Sequence, residues 1–398
     1  MKVYLIGVGL GNPDTLTLAA RRAIEESNLL IGAPRLLEGY AGKKCVPAIL
    51  AGDIAAAAAQ EGAGPVAVLL SGDIGFYSGA KKLYPLLEGY EVEALPGISS
   101  LAYFCARCRT PWEDVYLVSA HGRAHNAPGE IQCHKRTFVL TGGNYRAEHL
   151  CRDLCTWGME DVPVTVGERL SYPEEAITRG TAGELAERQF DSLAVVLVEN
   201  PRPVGREHAA PGIPDEAFLR GKTPMTKEEV RTLSVSRLRL RPEDTVWDVG
   251  AGTGSVSVEC ALAVPKGRVF AVERSEEALE LLAQNREKFA AWNLHIVPGA
   301  APAALRDLPA PDRVFVGGSG GELEEILRLA FAKNPRCRVV VNAVTLETLA
   351  ECTRCFALLG LEDVAVTELS AARTREAGRY HLLQGLNPVF LLSGEGRP

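Results

Sequence analysis

Thr245-Val246-Trp247-Asp248-Val249-Gly250-Ala251-Gly252-Thr253-Gly254-Ser255 passes from a short apolar, β-branched run into three alternating glycines. Such a run reads as a strand, and glycines at alternate positions let the backbone turn tightly and approach a ligand closely. Residues 255–264 continue as a helix, and 268–272 return as a strand that ends on Glu273. Strand, glycine turn, helix and strand in that order open a doubly wound α/β domain, whose ligands lie at the carboxyl ends of the strands. Further strands are expected at 294–297, 313–316, 338–342, 364–369 and 389–392. Ser275, followed by Glu276 and Glu277, reads as the N-cap of the helix after Glu273.

The residues between the glycines discriminate among ligands. A dinucleotide site wants a third small residue, Gly or Ala, three positions after the second glycine, and here that position is Ser255. What stands instead is Asp248 ahead of the turn and Glu273 at the end of the next strand, where a carboxylate can accept ribose hydroxyls. S-adenosylmethionine fits this combination, because it carries a ribose and a carboxylate but no pyrophosphate. Its carboxylate can lie against the exposed amides of a helix start. An NAD-dependent oxidoreductase is the rival reading, and Ser255 speaks against it.

Toward the N-terminus the same unit recurs in a looser form. A strand at 2–6 runs into Gly7-Val8-Gly9-Leu10-Gly11-Asn12, the strand at 65–70 into Ser71-Gly72-Asp73, and that at 90–95 into Pro96-Gly97-Ile98-Ser99-Ser100. Asn12 and the lack of an acid after the strand near 29–31 again disfavour a dinucleotide. Hydroxyls, amides and the Asp73 carboxylate from three loops can instead converge on one polar ligand. Strands at 115–120, 136–140, 162–167 and 193–199 form a second lobe. Prolines and charges at 200–212 read as a linker. The expected organisation is a domain over 1–205, a linker over 206–222 and a domain over 223–398.

Composition sets the outer bounds. The chain has 398 residues, 46% hydrophobic and 23% charged, with a mean hydropathy of +0.02, which suits a soluble protein with real cores. No apolar run approaches the roughly 18 residues of a spanning helix, and no signal peptide is visible at the start, so the expected location is the cytoplasm. A formal charge of −7 and a pI near 5.7 argue against nucleic acid or anionic lipid as partners. The ten cysteines are read as thiols. Cys105/Cys108, Cys151/Cys155 and Cys352/Cys355 fall at helical spacing, so no metal site is expected. Trp112 and Trp157 are read as packing residues, although Trp112 lies where a flat macrocycle could stack.

The first half resembles the tetrapyrrole methylase family through 4–14, Ser71-Gly72-Asp73-Ile74-Gly75-Phe76-Tyr77-Ser78, Pro96-Gly97-Ile98-Ser99-Ser100 and Ser119-Ala120-His121-Gly122-Arg123. The second half is similar to the decarboxylating precorrin methyltransferases through Gly212-Ile213-Pro214-Asp215, Pro224-Met225-Thr226-Lys227-Glu228-Glu229, 247–255, Gly317-Gly318-Ser319-Gly320-Gly321, Asn342-Ala343-Val344-Thr345 and Leu386-Asn387-Pro388-Val389-Phe390. The resemblance implies a two-lobed class III methyltransferase domain followed by a Rossmann-like class I methyltransferase domain. It implies C5 methylation of a precorrin-type tetrapyrrole by the first, and C15 methylation with loss of the C12 acetate carboxyl by the second. A non-catalytic, tetrapyrrole-binding first domain is the alternative. One S-adenosylmethionine site per domain is expected. In the second domain its residues are Thr226, Asp248, Gly250, Ala251, Gly252, Thr253, Gly254, Glu273, Ala300 and Ala301. In the first they are Leu10, Asp73, Phe76, Ser99 and Ser100. Relatives are usually oligomeric, so a homo-oligomer is expected.

Two departures from the family pattern stand out. Gly299-Ala300-Ala301 replaces the usual Gly-Asp-Ala, which removes an acid near the adenine amine and a hydrogen bond worth about 0.5–1.5 kcal/mol. Leu10 and Ile74 stand where many relatives carry proline. The substrate class bears many carboxylates, so guanidinium groups should line its pocket. The candidates are His121 and Arg123 in the first domain, and Arg373, Arg375, Arg379 and His381 with the Gly318-Ser319-Gly320 loop in the second. No general acid or base is conspicuous.

Overall fold

The computed structural model describes residues 1–61, 64–120, 126–204 and 210–397. They group into two compact units. The first contains Met1–Ala127 and Arg136–Glu199, the second Pro128–Lys135 and Asn200–Pro398.

The first unit holds two sheets. β1 (Lys2–Gly7), β2 (Leu29–Gly32), β3 (Lys44–Pro47), β4 (Val66–Leu70) and β5 (Glu91–Leu95) pair in the order β3-β2-β4-β1-β5, all parallel. The inner strands of a parallel sheet are covered on both faces, which explains their nearly continuous apolar runs. Val3, Leu5, Ile31 and Val68 pack on one face, and Tyr4, Ile6, Leu30 and Leu69 on the other. β6 (Tyr116–Ser119), β7 (Arg136–Leu140), β8 (Pro163–Glu168), β9 (Ala176–Thr181) and β10 (Ala194–Glu199) form the second sheet in the order β6-β7-β10-β8-β9. Here only β6 and β7 run parallel.

The second unit is built on β11 (Thr245–Val249), β12 (Arg268–Glu273), β13 (Leu294–Pro298), β14 (Arg313–Val316), β15 (Arg338–Ala343), β16 (Glu362–Leu369), β17 (Ala372–Ala377), β18 (Tyr380–Gly385) and β19 (Val389–Glu395). Seven of these make one sheet, β13-β12-β11-β14-β15-β19-β16, and β17 and β18 pair separately as an antiparallel hairpin. β19 runs antiparallel to both its neighbours. The fold is the expected one, α/β with a Rossmann-like second domain. The N-cap expected at Ser275 is present, with Ser275 Oγ accepting from the Ala278 amide at 3.5 Å ahead of the helix Glu276–Lys288.

Three particulars differ from the sequence reading. The described part of the expected linker packs into the second unit, with Ile213 and Phe218 in its core and Asp215 fully buried. Pro128–Lys135 belongs to the same unit. Its Gln132 amide donates to the carbonyls of Pro265 and Gly267 at 2.9 and 2.7 Å. Trp112, expected to pack, is 52% exposed.

None of the ten cysteines is in a disulfide, and Cys105, Cys151 and Cys352 are buried on helices. Among the described residues no cluster of His, Cys, Asp or Glu is placed to hold a metal ion. No helix of the described residues is long and apolar enough to cross a membrane.

Candidate functional site

In the second unit the strand ends surround a cleft of about 1860 Å³. Its floor is the turn after β11. Gly250, Gly252 and Gly254 have φ of 75°, 55° and 79°, the left-handed region that costs other residues steric strain. At Gly250 there is also no room for a side chain, because a Cβ would come within 2.8 Å of the Gly318 carbonyl oxygen and 2.9 Å of its nitrogen. Glycine turns after β11 and β14 thus lie backbone to backbone, and both line the cleft.

Glu273 leaves β12 beside this turn. One carboxylate oxygen accepts from the Gly252 amide at 2.9 Å, the other from the amides of Arg274 and Ser275 at 2.7 and 2.9 Å. A carboxylate offers about four lone-pair positions, so the oxygen facing Gly252 retains capacity for a ribose hydroxyl. Thr253 Oγ1 is buried at the cleft and has no hydrogen-bond partner. A cradle without Cβ atoms, a carboxylate with spare capacity and an unsatisfied buried hydroxyl fit S-adenosylmethionine. Thr226, Ala251, Ala300 and Ala301 also line the cleft, as do Gly318, Ser319 and Gly320. The floor at Ala300 and Ala301 carries no polar side chain.

Asp248 and Gly254 do not line it. Gly254 caps the helix Ser255–Ala263. Asp248 is fully buried under the turn, where one oxygen accepts from the Ser257 hydroxyl and the other has no partner. Burial pushes its carboxyl up to about 7, opposed by the Ser257 bond and aided by the Glu273 charge. The folded chain therefore keeps this proton up to about pH 7, whereas the unfolded chain releases it near the ordinary value of 3.8. The resulting stability, on the order of a few kcal/mol, is complete below that value and is lost as the pH rises to about 7. The thermal midpoint of the wild type relative to Asp248→Asn should fall over this interval. A difference that stays flat or grows would mean that Asp248 is ionised in the folded chain.

The cations expected at the substrate lie elsewhere. Arg373 is held by both oxygens of Glu229, at 2.7 Å each, and by Asp215 at 2.9 Å. Arg375, Arg379 and His381 are exposed on the β17–β18 hairpin and its turn. None of the four lines the cleft. Lys222, Lys227 and Arg274 do. The sequence signal for Lys227 was its place next to Thr226, while Lys222 and Arg274 carried none.

Behind Thr226 lies a buried ionic network. Arg231, Asp215 and Glu259 are each fully buried. Arg231 donates to Glu259 at 2.6 Å, to Asp215 at 3.1 Å, to the Thr226 carbonyl at 2.7 Å and to the Ile213 carbonyl. Glu259 in turn accepts from the amides of Gly212 and Ile213 at 2.9 and 3.1 Å. These bonds hold the segment that the sequence reading left as a linker, and they fix the Thr226 side of the cleft.

In the first unit the turns after β1, β4 and β5 meet. A Cβ on Gly7 would lie 2.7 Å from the Gly97 nitrogen and 2.8 Å from the Gly72 carbonyl oxygen. Gly9 and Gly72 exchange backbone hydrogen bonds at 3.1 and 2.6 Å. Asp73 ties the third turn to the second, accepting from the Gly75 amide at 2.8 Å and, with its other oxygen, from the Gly97 amide at 3.0 Å. Ser99 caps the helix Ser100–Cys108 through the Ala102 amide at 3.1 Å. Leu10 and Phe76 pack against the cluster around Phe104 and Phe138, which joins the two sheets of this unit. Leu10, Asp73, Phe76, Ser99 and Ser100 are thus gathered at one end of the first sheet. His121 and Arg123 lie outside the described residues.

Two domain families match this chain. Residues 2–186 match the tetrapyrrole (corrin/porphyrin) methylases, and residues 216–394 match the precorrin methyltransferase domain. A precorrin-6Y C(5,15)-methyltransferase [decarboxylating] from Sinorhizobium sp is 31% identical over 360 residues, covering 86% of this chain and 84% of the relative. A probable cobalt-precorrin-6B C(15)-methyltransferase (decarboxylating) from Pyrobaculum calidifontis is 47% identical over 189 residues, 47% of this chain and 96% of the relative. The crystal structure of a precorrin-6y C5,15-methyltransferase from Geobacter metallireducens shares 39% identity with a TM-score of 0.45, covering 48% of this chain and 100% of that one. With one relative aligned through most of its length and both domain families present in order, the chain belongs to the precorrin methyltransferase family, a tetrapyrrole methylase domain preceding a precorrin methyltransferase domain.

Proposed function

We propose that this chain methylates a precorrin-6B type tetrapyrrole of cobalamin biosynthesis at C5 and C15 and removes the carboxyl of its C12 acetate. The first domain, 1–205, is assigned the C5 addition, and the second, 223–398, the C15 addition and the decarboxylation. The observation that carries this reading is the presence of two unlike glycine-turn sites, one at the strand ends of each unit, in a chain that aligns with a C(5,15)-methyltransferase through both halves.

Methyltransferases of this family use S-adenosylmethionine, and we assign one site to each domain. When bound, it supplies an electrophilic methyl group. Thr226, the 250–253 turn and Glu273 would hold it in the second domain, and Leu10, Asp73, Phe76, Ser99 and Ser100 in the first. An in-line displacement at an electron-rich ring carbon needs alignment more than proton transfer, so rigid turns are the main catalytic contribution of the chain. Lys222, Lys227 and Arg274 would receive substrate carboxylates at the second site. The bare backbone of Gly317, Gly318 and Gly320 would let a flat ring come close. Decarboxylation breaks the bond between the acetate methylene carbon and its carboxyl, the electron pair passes into the conjugated ring as carbon dioxide leaves, and a proton from solvent then completes the methyl group left at C12. The apolar wall of Leu386, Pro388 and Val389 favours that loss by solvating the carboxylate poorly.

Incubation of the full chain with metal-free and cobalt-bound precursors and S-adenosylmethionine, followed by mass spectrometry, tests the assignment. Two methyl gains and one loss of carbon dioxide are expected. No mass change with either precursor contradicts it.

A further inference from the structure

The first unit must recognise the same polycarboxylate substrate if the proposed function holds, and the inference below rests on that reading. Arg35 lies just past the end of β2, on the short helical turn Pro34–Leu37. Its side chain is exposed, and among the described residues it forms no ion pair. Nη1 donates to the Tyr172 phenol oxygen at 3.1 Å.

Tyr172 stands on the glycine turn itself. A Cβ on Gly11 would meet its Cζ at 2.9 Å and would overlap its oxygen. The neighbouring Asn12 amide donates to the Ser171 carbonyl at 3.2 Å. Ser171 is only 8% exposed, has a φ of 68°, and carries a buried hydroxyl with no partner. Left-handed backbone at a non-glycine residue costs energy and persists where the surroundings enforce it.

Because the phenol oxygen accepts from Arg35, its proton remains available to an acceptor. The guanidinium keeps further N–H donors, having no acceptor capacity of its own. Two donors therefore converge next to the turn that opens the methylation site, and among the described residues no carboxylate pairs with the arginine. Guanidinium and hydroxyl donors side by side suit a carboxylate. We propose that Arg35 and Tyr172 form a carboxylate-recognition subsite of the first unit, which takes an acetate or propionate arm of the tetrapyrrole and fixes the ring relative to the glycine turns.

The test uses the full chain with Arg35→Gln, Arg35→Lys and Tyr172→Phe, and follows the methyl gain lost in Asp73→Ala. A hydrogen-bonded charge contact of this kind predicts about a tenfold or larger rise in substrate KM for Arg35→Gln. The kcat and the affinity for S-adenosylmethionine should stay near wild type, and the C15 addition should be unaffected. Arg35→Lys should recover part of the loss, Tyr172→Phe should show a smaller one, and a methyl-esterified substrate should make wild type and Arg35→Gln alike. An unchanged KM overturns the inference. So does a KM rise matched by equal losses of cofactor affinity and thermal stability, because that marks a merely structural latch. If Asp73→Ala leaves every methylation intact, the functional reading beneath the inference fails, and the inference with it.

Discussion

Gly97→Ala is expected to abolish most of the methyl addition assigned to the first domain while leaving that of the second intact. The reason is steric and local. A Cβ on Gly97 would overlap the carbonyl oxygens of Gly7 and Gly72, and both obstacles are backbone that no side-chain rotation can clear. Relief requires the turns after β1, β4 and β5 to separate, and overpacking of this kind costs about 1–3 kcal/mol in stability. The catalytic loss should be larger than the stability loss. The Gly97 amide donates to Asp73, so moving it shifts the carboxylate as well, and a misplacement of about 1 Å can cost roughly 100-fold in rate. Rates for the two additions, separated by mass spectrometry of the products, give the comparison. If Gly97→Ala retains the first-domain addition within about threefold, the convergence of the three turns does not build a site.

Arg231→Met should destabilise the second unit strongly. Removing one partner of a buried ion cluster typically costs about 3–5 kcal/mol, because the opposite charges stay buried without compensation. Here two carboxylates, Asp215 and Glu259, and the carbonyls of Ile213 and Thr226 would lose donors at once. Thr226 lines the cleft, so cofactor affinity at this site should fall with stability. Arg373→Gln offers a graded control. Its side chain is 34% exposed, and water can replace part of what it supplies to Asp215 and Glu229, so an effect of about 1 kcal/mol is expected. Denaturant unfolding followed by tryptophan fluorescence in a Trp112→Phe, Trp157→Phe background, where Trp247 and Trp292 of this unit are the remaining tryptophans, checks the difference. Equal effects of the two substitutions would show that burial of the network does not set its energetics.

What the sequence made legible follows from which interactions are local. The strand, glycine turn, helix and acid of 245–273 announce themselves because spacing and φ requirements act within a few residues. The same holds for the N-cap at Ser275, whose hydroxyl bonds the amide three residues on. Arg231 was illegible for the opposite reason. In the helix Glu228–Leu238 it has the look of a solvated charge, and its burial depends on Asp215 and Glu259 at distant positions. The basic neighbours of Arg373 suggest a substrate contact, whereas Glu229 and Asp215 take up its donors. Asp248 was read as a cofactor contact from its position before the glycines, but a strand residue alternates in direction, and this one faces Ser257 below the turn. The exposed β17–β18 hairpin lacks the one-sided burial that would have marked its strands.

The central claim is that one chain carries two separate methylation sites, and separate loss of the two acids tests it most directly. Asp73→Ala and Glu273→Ala would each be incubated with the tetrapyrrole precursor and S-adenosylmethionine, and the products mapped by mass spectrometry and by position of the added methyl. Two sites predict that Asp73→Ala lacks only the C5 methyl and Glu273→Ala only the C15 methyl. Both methyl groups present in the Asp73→Ala product would contradict this account and leave the first domain as a binding module.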